Sequence, residues 1–336
     1  MRDVGSAGNA YRGTGDHGVV LKYALSRIAL MIPTLLGVAL LTFAMIRILP
    51  GDVVELKLRG DGGRATQEQI DSERARLGLD QPIVIQLGSW LKGLATLDLG
   101  NSMWTGRPVT EEIGIRLGLS LQVAFMAAIV AVLIAIPLGT LAALFRNTPI
   151  DYLIRILSIS GLAIPSFWLG MLMILALLSL FRWSPPVTYV SFIESPLQNI
   201  SQLIWPALAV GFRYAAMVAR MVRSSIIEVL QEDYIRTARA KGMPEIRVVI
   251  GHAIRNAMLP AITVMGLEFA FLMGGLVVTE QVFNLNGIGR LFVDAVLRKD
   301  FMLIQAIVLL LAFIFITTNL IVDLLYGVLD PRIGRR

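Results

Sequence analysis

Apolar runs long enough to cross a bilayer alternate along this chain with polar intervals of very unequal length. The runs occupy 28–46, 121–145, 156–181, 203–219, 259–279 and 301–322. Each is close to the roughly 20 residues a helix needs to cross a hydrocarbon core. They are continuously apolar rather than alternating, so each reads as a helix that bonds its own backbone in lipid. The pattern predicts an all-α, polytopic membrane protein with six transmembrane helices. Its segments are a tail at 1–24, a first span within 25–49, a large polar region at 50–118 and a helical core at 119–327. That core contains a polar loop at 224–258, and a short tail at 328–336 closes the chain.

Charge orients this pattern. Arg2, Arg12, Lys22 and Arg27 precede the first span, and Arg146 and Arg155 flank the short connection between the second and third. The loop between the fourth and fifth carries Arg236, Arg239, Lys241, Arg247 and Arg255, and Arg332, Arg335 and Arg336 end the chain. Basic residues mark the cytoplasmic side, so both termini are expected inside and 50–118 outside, in the periplasm. Trp104, Trp183 and Trp205 fall near predicted outer ends, where amphipathic rings settle. A cleaved signal peptide competes for the first run. That run is too long for a signal core, and no small-x-small site follows it.

Composition excludes several classes of chemistry. With 56% hydrophobic residues and a mean hydropathy of +0.71, the chain is no soluble globular domain. The net charge of +6 fits inner-loop bias rather than nucleic-acid binding. There is no Cys, and His17 and His252 are the only histidines, so neither a thiolate nor a histidine metal centre is expected. None of the five lysines follows Gly, which excludes a Walker A phosphate loop. Ser158, Ser160 and Ser166 lie in spans without a His or Lys to activate them, so no catalytic residue is assigned.

The loop at 228–260 predicts two helices joined at a break. Ile227, Leu230, Tyr234 and Ala238 form an apolar stripe on an otherwise charged first helix. Gly242 supplies the stop, and Pro244 sits where a second helix begins. Within the outer region, 68–79 reads as a short surface helix and 97–109, with Gly100, Gly106 and Pro108, as a turn-rich loop. Pro33, Pro137, Pro165 and Pro206 lie inside spans. Around 164–170, with Gly161, two readings stand: a hinge lining a pathway, or close helix packing by small residues.

Arg213 and Glu268 are charges set well inside the fourth and fifth spans, and each needs a partner or water. Either they pair or face each other across a translocation pathway, or they form a structural ion pair without substrate contact, or Arg213 snorkels outward. Glu280 at the outer end of the fifth span opens a segment with Asn284, Asn286, Gly287 and Gly289, which predicts a tight turn into an amphipathic helix. Asp323 near the inner end of the last span has a loop arginine as its natural partner.

DYIRTARAKG (233–242) followed by HAIRNAMLP (252–260) resembles the cytoplasmic loop of permease subunits of bacterial ABC importers, in the branch that handles dipeptides, oligopeptides and nickel. The wider family reads Glu-Ala-Ala, three residues, Gly, then Leu-Pro. Here Arg236, Thr237, Ala238 and Gly242 fall on the first part and Leu259 and Pro260 on the last, with Arg236 in place of Glu. IRILPGD (46–52), RLGLDQP (76–82), DLGNS (98–102), TGRPV (105–109), DPRIG (330–334) and the positions Glu280, Phe283, Gly287, Gly289, Leu291, Asn319 and Asp323 extend the likeness over most of the chain.

The resemblance implies a type I importer architecture in the inner membrane. It implies a second permease subunit, two ATPase subunits that bind ATP and Mg, a periplasmic substrate-binding protein, and no cofactor in this chain. Tyr234, Arg236, Thr237, Ala238, Ala240 and Gly242, with Pro260 at the far end, would form the ATPase-coupling loop, with Tyr234, Thr237, Ala238 and Gly242 at the contact. Arg213, Glu268 and Glu280 would lie along the translocation pathway. The rival reading is an ion-coupled secondary transporter, which works through intramembrane carboxylates in repeated halves. Glu268 is the sole mid-span acid and the first half shows no repeat of the loop.

Overall fold

The computed structural model describes residues 16–48, 53–59, 65–186 and 188–329. DPRIG (330–334), the end of IRILPGD and the first fifteen residues lie outside the described residues. Helix α1 (Asp16–Ile48) contains the first apolar run and starts well before it, so 16–24 continue the helix rather than forming a loose tail. Among the described residues, five helices are long and apolar enough to cross a membrane, and a bent pair of apolar helices brings the number to six if it is counted as one span.

The core is built on α5 (Val109–Leu144) and α8 (Pro196–Val229). Both are longer than their apolar runs. Ala124, Ala127, Ala131 and Ala135 of α5 are buried with Ala207, Ala209, Val218 and Ala219 of α8. Small side chains at these steps let two backbones approach closely, which is how helices associate where lipid supplies no hydrophobic drive. Two glycines show how close. A Cβ on Gly139 would stand 2.6 Å from the Ala219 carbonyl oxygen, and one on Gly211 would stand 2.9 Å from that of Ala127. Gly139→Ala and Gly211→Ala are therefore each expected to destabilise the bundle by about 1–3 kcal/mol through overpacking. Thermal unfolding of the full chain in detergent checks this, and Gly114→Ala, where the space is open, should leave the midpoint unchanged.

The third apolar run, expected as one span over 156–181, is two helices. α6 (Pro149–Ala163) and α7 (Ser166–Phe181) meet at 106°. Pro165 lacks the N–H a helix would use and pushes Ile164 out of the helical region, to φ −82° and ψ 122°. The bend sits at Pro165, while Gly161 packs on Phe212 and Ala216, and Gly170 on Phe283. At the opposite end of α6, Asp151 is fully buried and takes Arg223 of α8 in a two-pronged ion pair of 2.7 and 2.8 Å.

Beyond α8 the chain makes α9 (Asp233–Ala240), a single turn α10 (Glu245–Arg247) and a π-helical stretch Val248–Ile254. The stretch runs without a break into α11 (Arg255–Val282). After a turn come α12 (Ile288–Leu297) and α13 (Phe301–Leu329). Gly266 of α11 lies directly under Val322 of α13. Asp323 finds its arginine in Arg27 of α1, at 3.3 Å.

The outer region is more ordered than a solvated loop. It holds α2 (Val53–Arg59), α3 (Gln67–Arg76) and α4 (Ile83–Ala95). α3 matches the expected 68–79 helix and starts with a capping box, Thr66 and Gln69 each bonding the other's backbone N–H. Arg76 and Lys57 hold the Glu73 carboxyl down at about 2, which ties α3 to α2. α4 went unpredicted: Trp90 is its buried anchor, against Phe43 of α1 and Leu309 of α13. The turn-rich 97–109 stretch has Gly100 and Gly106 at φ +72° and +73°, as its glycines suggested. Asp300, buried between α12 and α13, accepts the Ser102 hydroxyl at 2.5 Å and the Met103 N–H at 3.2 Å, fastening this stretch to the core.

Candidate functional site

The loop between α8 and α11 is a small folded unit. The single helix expected to carry Ile227, Leu230, Tyr234 and Ala238 is interrupted. α8 ends at Val229, a turn follows, and α9 begins at Asp233. The interruption rotates the stripe. Ile235 is fully buried and Tyr234 is 42% exposed, the reverse of the expected facing. Ile235, Ala238 and Val248 form a core of their own, covered by Val229, Leu230 and Met243. Ala238, expected at a partner contact, therefore points into the loop itself.

Gly242 ends α9 as its residue type suggests. It sits at φ +76°, with its N–H on the Arg239 carbonyl at 2.9 Å and the next N–H, of Met243, on that of Ala238 at 3.3 Å. That is a Schellman stop, and the apolar contact of Met243 with Ala238's cluster completes it. Three further bonds make α9 a fixed platform. Arg239 grips Glu245 across the turn at 2.6 Å, and Asn256 donates to the Tyr234 hydroxyl at 2.9 Å. Thr237 bonds back to the Asp233 carbonyl at 3.0 Å. Arg239, pulled upward in pKa by the Glu245 carboxylate, stays charged throughout.

The solvent face of α9 presents Tyr234, Arg236, Thr237, Ala240 and Lys241. Next to it lies a groove of about 410 Å³ whose walls include Met243, Ile246 and Ile250, the two isoleucines 68% and 62% exposed. These two were not singled out from sequence. Their four-residue spacing, opposite the buried pair Val249 and Ala253, marks a helix with apolar residues on both faces. Such a stripe outside the spans signals a partner surface. Pro260 lies a turn inside α11, so it belongs to the span and not to this platform.

Arg213 and Glu268 do not meet. Among the described residues neither has an ion-pair partner; Arg213 is exposed and Glu268 half-buried. Tyr214 explains the separation. It is buried and its hydroxyl donates to the Met265 carbonyl of α11 at 2.7 Å. With Tyr214 facing α11, its neighbour Arg213 is carried about 100° round the helix, away from Glu268's element.

Glu280, expected along a pathway, is fully buried. The Ser120 hydroxyl donates to its Oε1 at 2.5 Å and the Arg290 N–H to its Oε2 at 3.1 Å, while Ser120 accepts from Ile288 N–H at 2.8 Å. Its carboxylate lies where side chains on Gly287 and Gly289 would stand. The glycines are there to admit the carboxylate, and Glu280 anchors the turn between α11 and α12. No cluster of three or more metal-ligating side chains occurs among the described residues. What the arrangement offers is mechanical: a stiff basic and apolar surface joined to two membrane helices.

A family profile described as "binding-protein-dependent transport system inner membrane component" matches residues 135–335, and one for the N-terminal part of such membrane components matches 20–124. A putative peptide transport system permease protein of Brucella suis is 42% identical over 309 residues, covering 92% of this chain and 98% of that protein. The glutathione transport system permease protein GsiC of Salmonella typhimurium is 42% identical over 314 residues, 94% of this chain and 99% of its own length. Among solved structures, a chain from the crystal structure of an amino acid ABC transporter with histidines superposes with a TM-score of 0.51 at 17% identity, over 65% of this chain and 94% of that one.

Proposed function

This chain belongs to the family of binding-protein-dependent transport system inner membrane components, the membrane-spanning permeases of ABC importers, and from that premise we propose that it forms half of a pathway for short peptides, driven through α9. The α9 platform is the observation that carries this reading. Its inner face is locked by Ile235, Ala238 and Val248, so force applied to its outer face passes to α8 and α11 rather than deforming the loop. Separate ATPase subunits bind and hydrolyse ATP with Mg, and their closure rocks the two permease subunits between inward- and outward-open states. An extracytoplasmic binding protein delivers cargo, and both termini lie in the cytoplasm. The peptide class, glutathione included, is supported by the names of relatives at 42% identity. The ion-coupled rival finds no support in the matching family or in the named relatives.

Cysteine cross-linking tests the platform directly, because the chain has no native Cys. A Cys in place of the exposed Thr237 is expected to cross-link to the ATPase surface cleft in a nucleotide-dependent way. A Cys in place of the buried Ala238 is expected to stay unlinked. The opposite order would overturn the facing of α9, and failure at both positions, and also at Ala240, in an assembled complex would overturn the coupling role.

A further inference from the structure

A second feature lies at the same end of the bundle, where α6 meets the end of α8. Between the α5–α6 connection, α6 and α8 lies a cavity of about 560 Å³ into which four arginines converge: Arg146, Arg155, Arg220 and Arg223. Arg223 is held from behind. Its Nε and Nη2 are taken by the buried Asp151, which leaves Nη1 unengaged. Among the described residues none of the other three has a carboxylate within ion-pair distance: Arg155 lies over the Tyr152 ring and Arg220 touches the Met217 sulfur. Ser158 and Ser224 add hydroxyls. Glu228 is the remaining acid in the lining, and its carboxylate is 3.4 Å from the Ser224 hydroxyl.

Basic residues at an inner membrane face are ordinary, and scattered ones need no explanation. Four guanidiniums on three elements sharing one cavity are different, since Asp151 and Glu228 are too few to balance them and the cavity keeps a net positive charge. Guanidinium forks match phosphate oxygens in geometry as well as charge. Asn147 also lines the cavity, and Ile159, Leu162 and Ile227 give it an apolar wall, with Ile159 61% exposed. A free phosphate has no use for such a wall. A phospholipid does, because its glycerol and acyl chains leave the headgroup along it.

We propose that this cavity binds the phosphate of an anionic phospholipid, with Arg155, Arg220 and the preorganised Arg223 on the headgroup and the apolar wall on the glycerol region. Basic pockets between membrane helices on the cytoplasmic side take lipid headgroups on the same physical grounds. The placement in the inner leaflet rests on the topology proposed above; the site itself does not depend on α9 or on any ATPase.

Native mass spectrometry of the full-length chain, delipidated and offered phosphatidylglycerol, phosphatidylcholine or inorganic phosphate, provides the test. Phosphatidylglycerol is expected to be retained in preference to phosphatidylcholine, and Arg155→Gln with Arg220→Gln to lower that retention about tenfold or more. Both side chains are exposed, so the thermal midpoint of this double variant should match that of the parent. A control removing two charges elsewhere, Lys92→Gln with Arg182→Gln, should retain lipid as the parent does. Equal loss in the control, no loss in the Arg155 and Arg220 variant, or no preference over phosphatidylcholine would each overturn the site. Displacement of the lipid by millimolar inorganic phosphate would overturn the lipid as its occupant. Because no ATPase is present, none of these outcomes bears on the coupling role of α9.

Discussion

Arg223→Met is expected to destabilise the bundle by about 3–5 kcal/mol. Asp151 has no exposed surface, and Arg223 supplies two of the three hydrogen bonds its carboxylate receives. The third comes from the Asn147 N–H at 3.0 Å. Removing the arginine strands a buried negative charge. The reverse change is milder. In Asp151→Asn the amide oxygen still accepts one bond, and Arg223, 21% exposed and lining an open cavity, reaches water. That variant should lose about 1.5–3 kcal/mol. The double variant should recover part of the loss, since neither charge is then left alone. Thermal midpoints of the four proteins in one detergent form the check. If Asp151→Asn proves the more harmful, the asymmetry of burial is not what governs this pair.

Ile235→Asp is the second change with a large expected effect, and it acts on motion rather than on the bundle. Ile235 belongs to the loop's six-residue apolar cluster and has no exposed surface. Truncating a buried Ile to Ala costs about 2–5 kcal/mol, and a carboxylate in its place costs more. The loop's core is too small to absorb that. Hydrogen exchange over 233–254 should accelerate while the interiors of α5 and α8 stay protected. Uptake of labelled peptide should fall at least tenfold at unchanged membrane abundance. Tyr234→Ala, one residue away but exposed, should leave exchange in the loop core close to that of the parent. Unchanged uptake in Ile235→Asp would mean that α9 need not be rigid to transmit force.

Much of the architecture was legible in one dimension. Hydropathy located every span, because an apolar helix in lipid needs nothing from its neighbours to satisfy its backbone. Gly242 and Pro244 announced the end of α9 and the start of α10, since the αL stop and the missing N–H are properties of single residues. Local signals failed where two explanations were locally equivalent. Ile227, Leu230, Tyr234 and Ala238 make a good stripe on one helix; a turn at 230–232 converts them to two helices and substitutes Ile235 for Tyr234. In 156–181, hydropathy saw apolar residues and not the direction they ran, so a 106° bend went unread.

Spans, sidedness of charge and the loop's boundaries thus belong to the chain's local chemistry: length, hydropathy and backbone preference act within a few residues. Which polar groups meet was decided by tertiary structure alone. Ser120 reaches Glu280 across 160 residues, Ser102 reaches Asp300 across 198, and Arg223 reaches Asp151 across 72. Arg213 and Glu268, which looked like partners, are kept apart by the rotation that points Tyr214 at α11. A buried charge in a sequence declares that a partner must exist, but choosing the partner takes a fixed angle about a helix axis. That angle is set by where the alanines and glycines of α5 and α8 let the backbones touch.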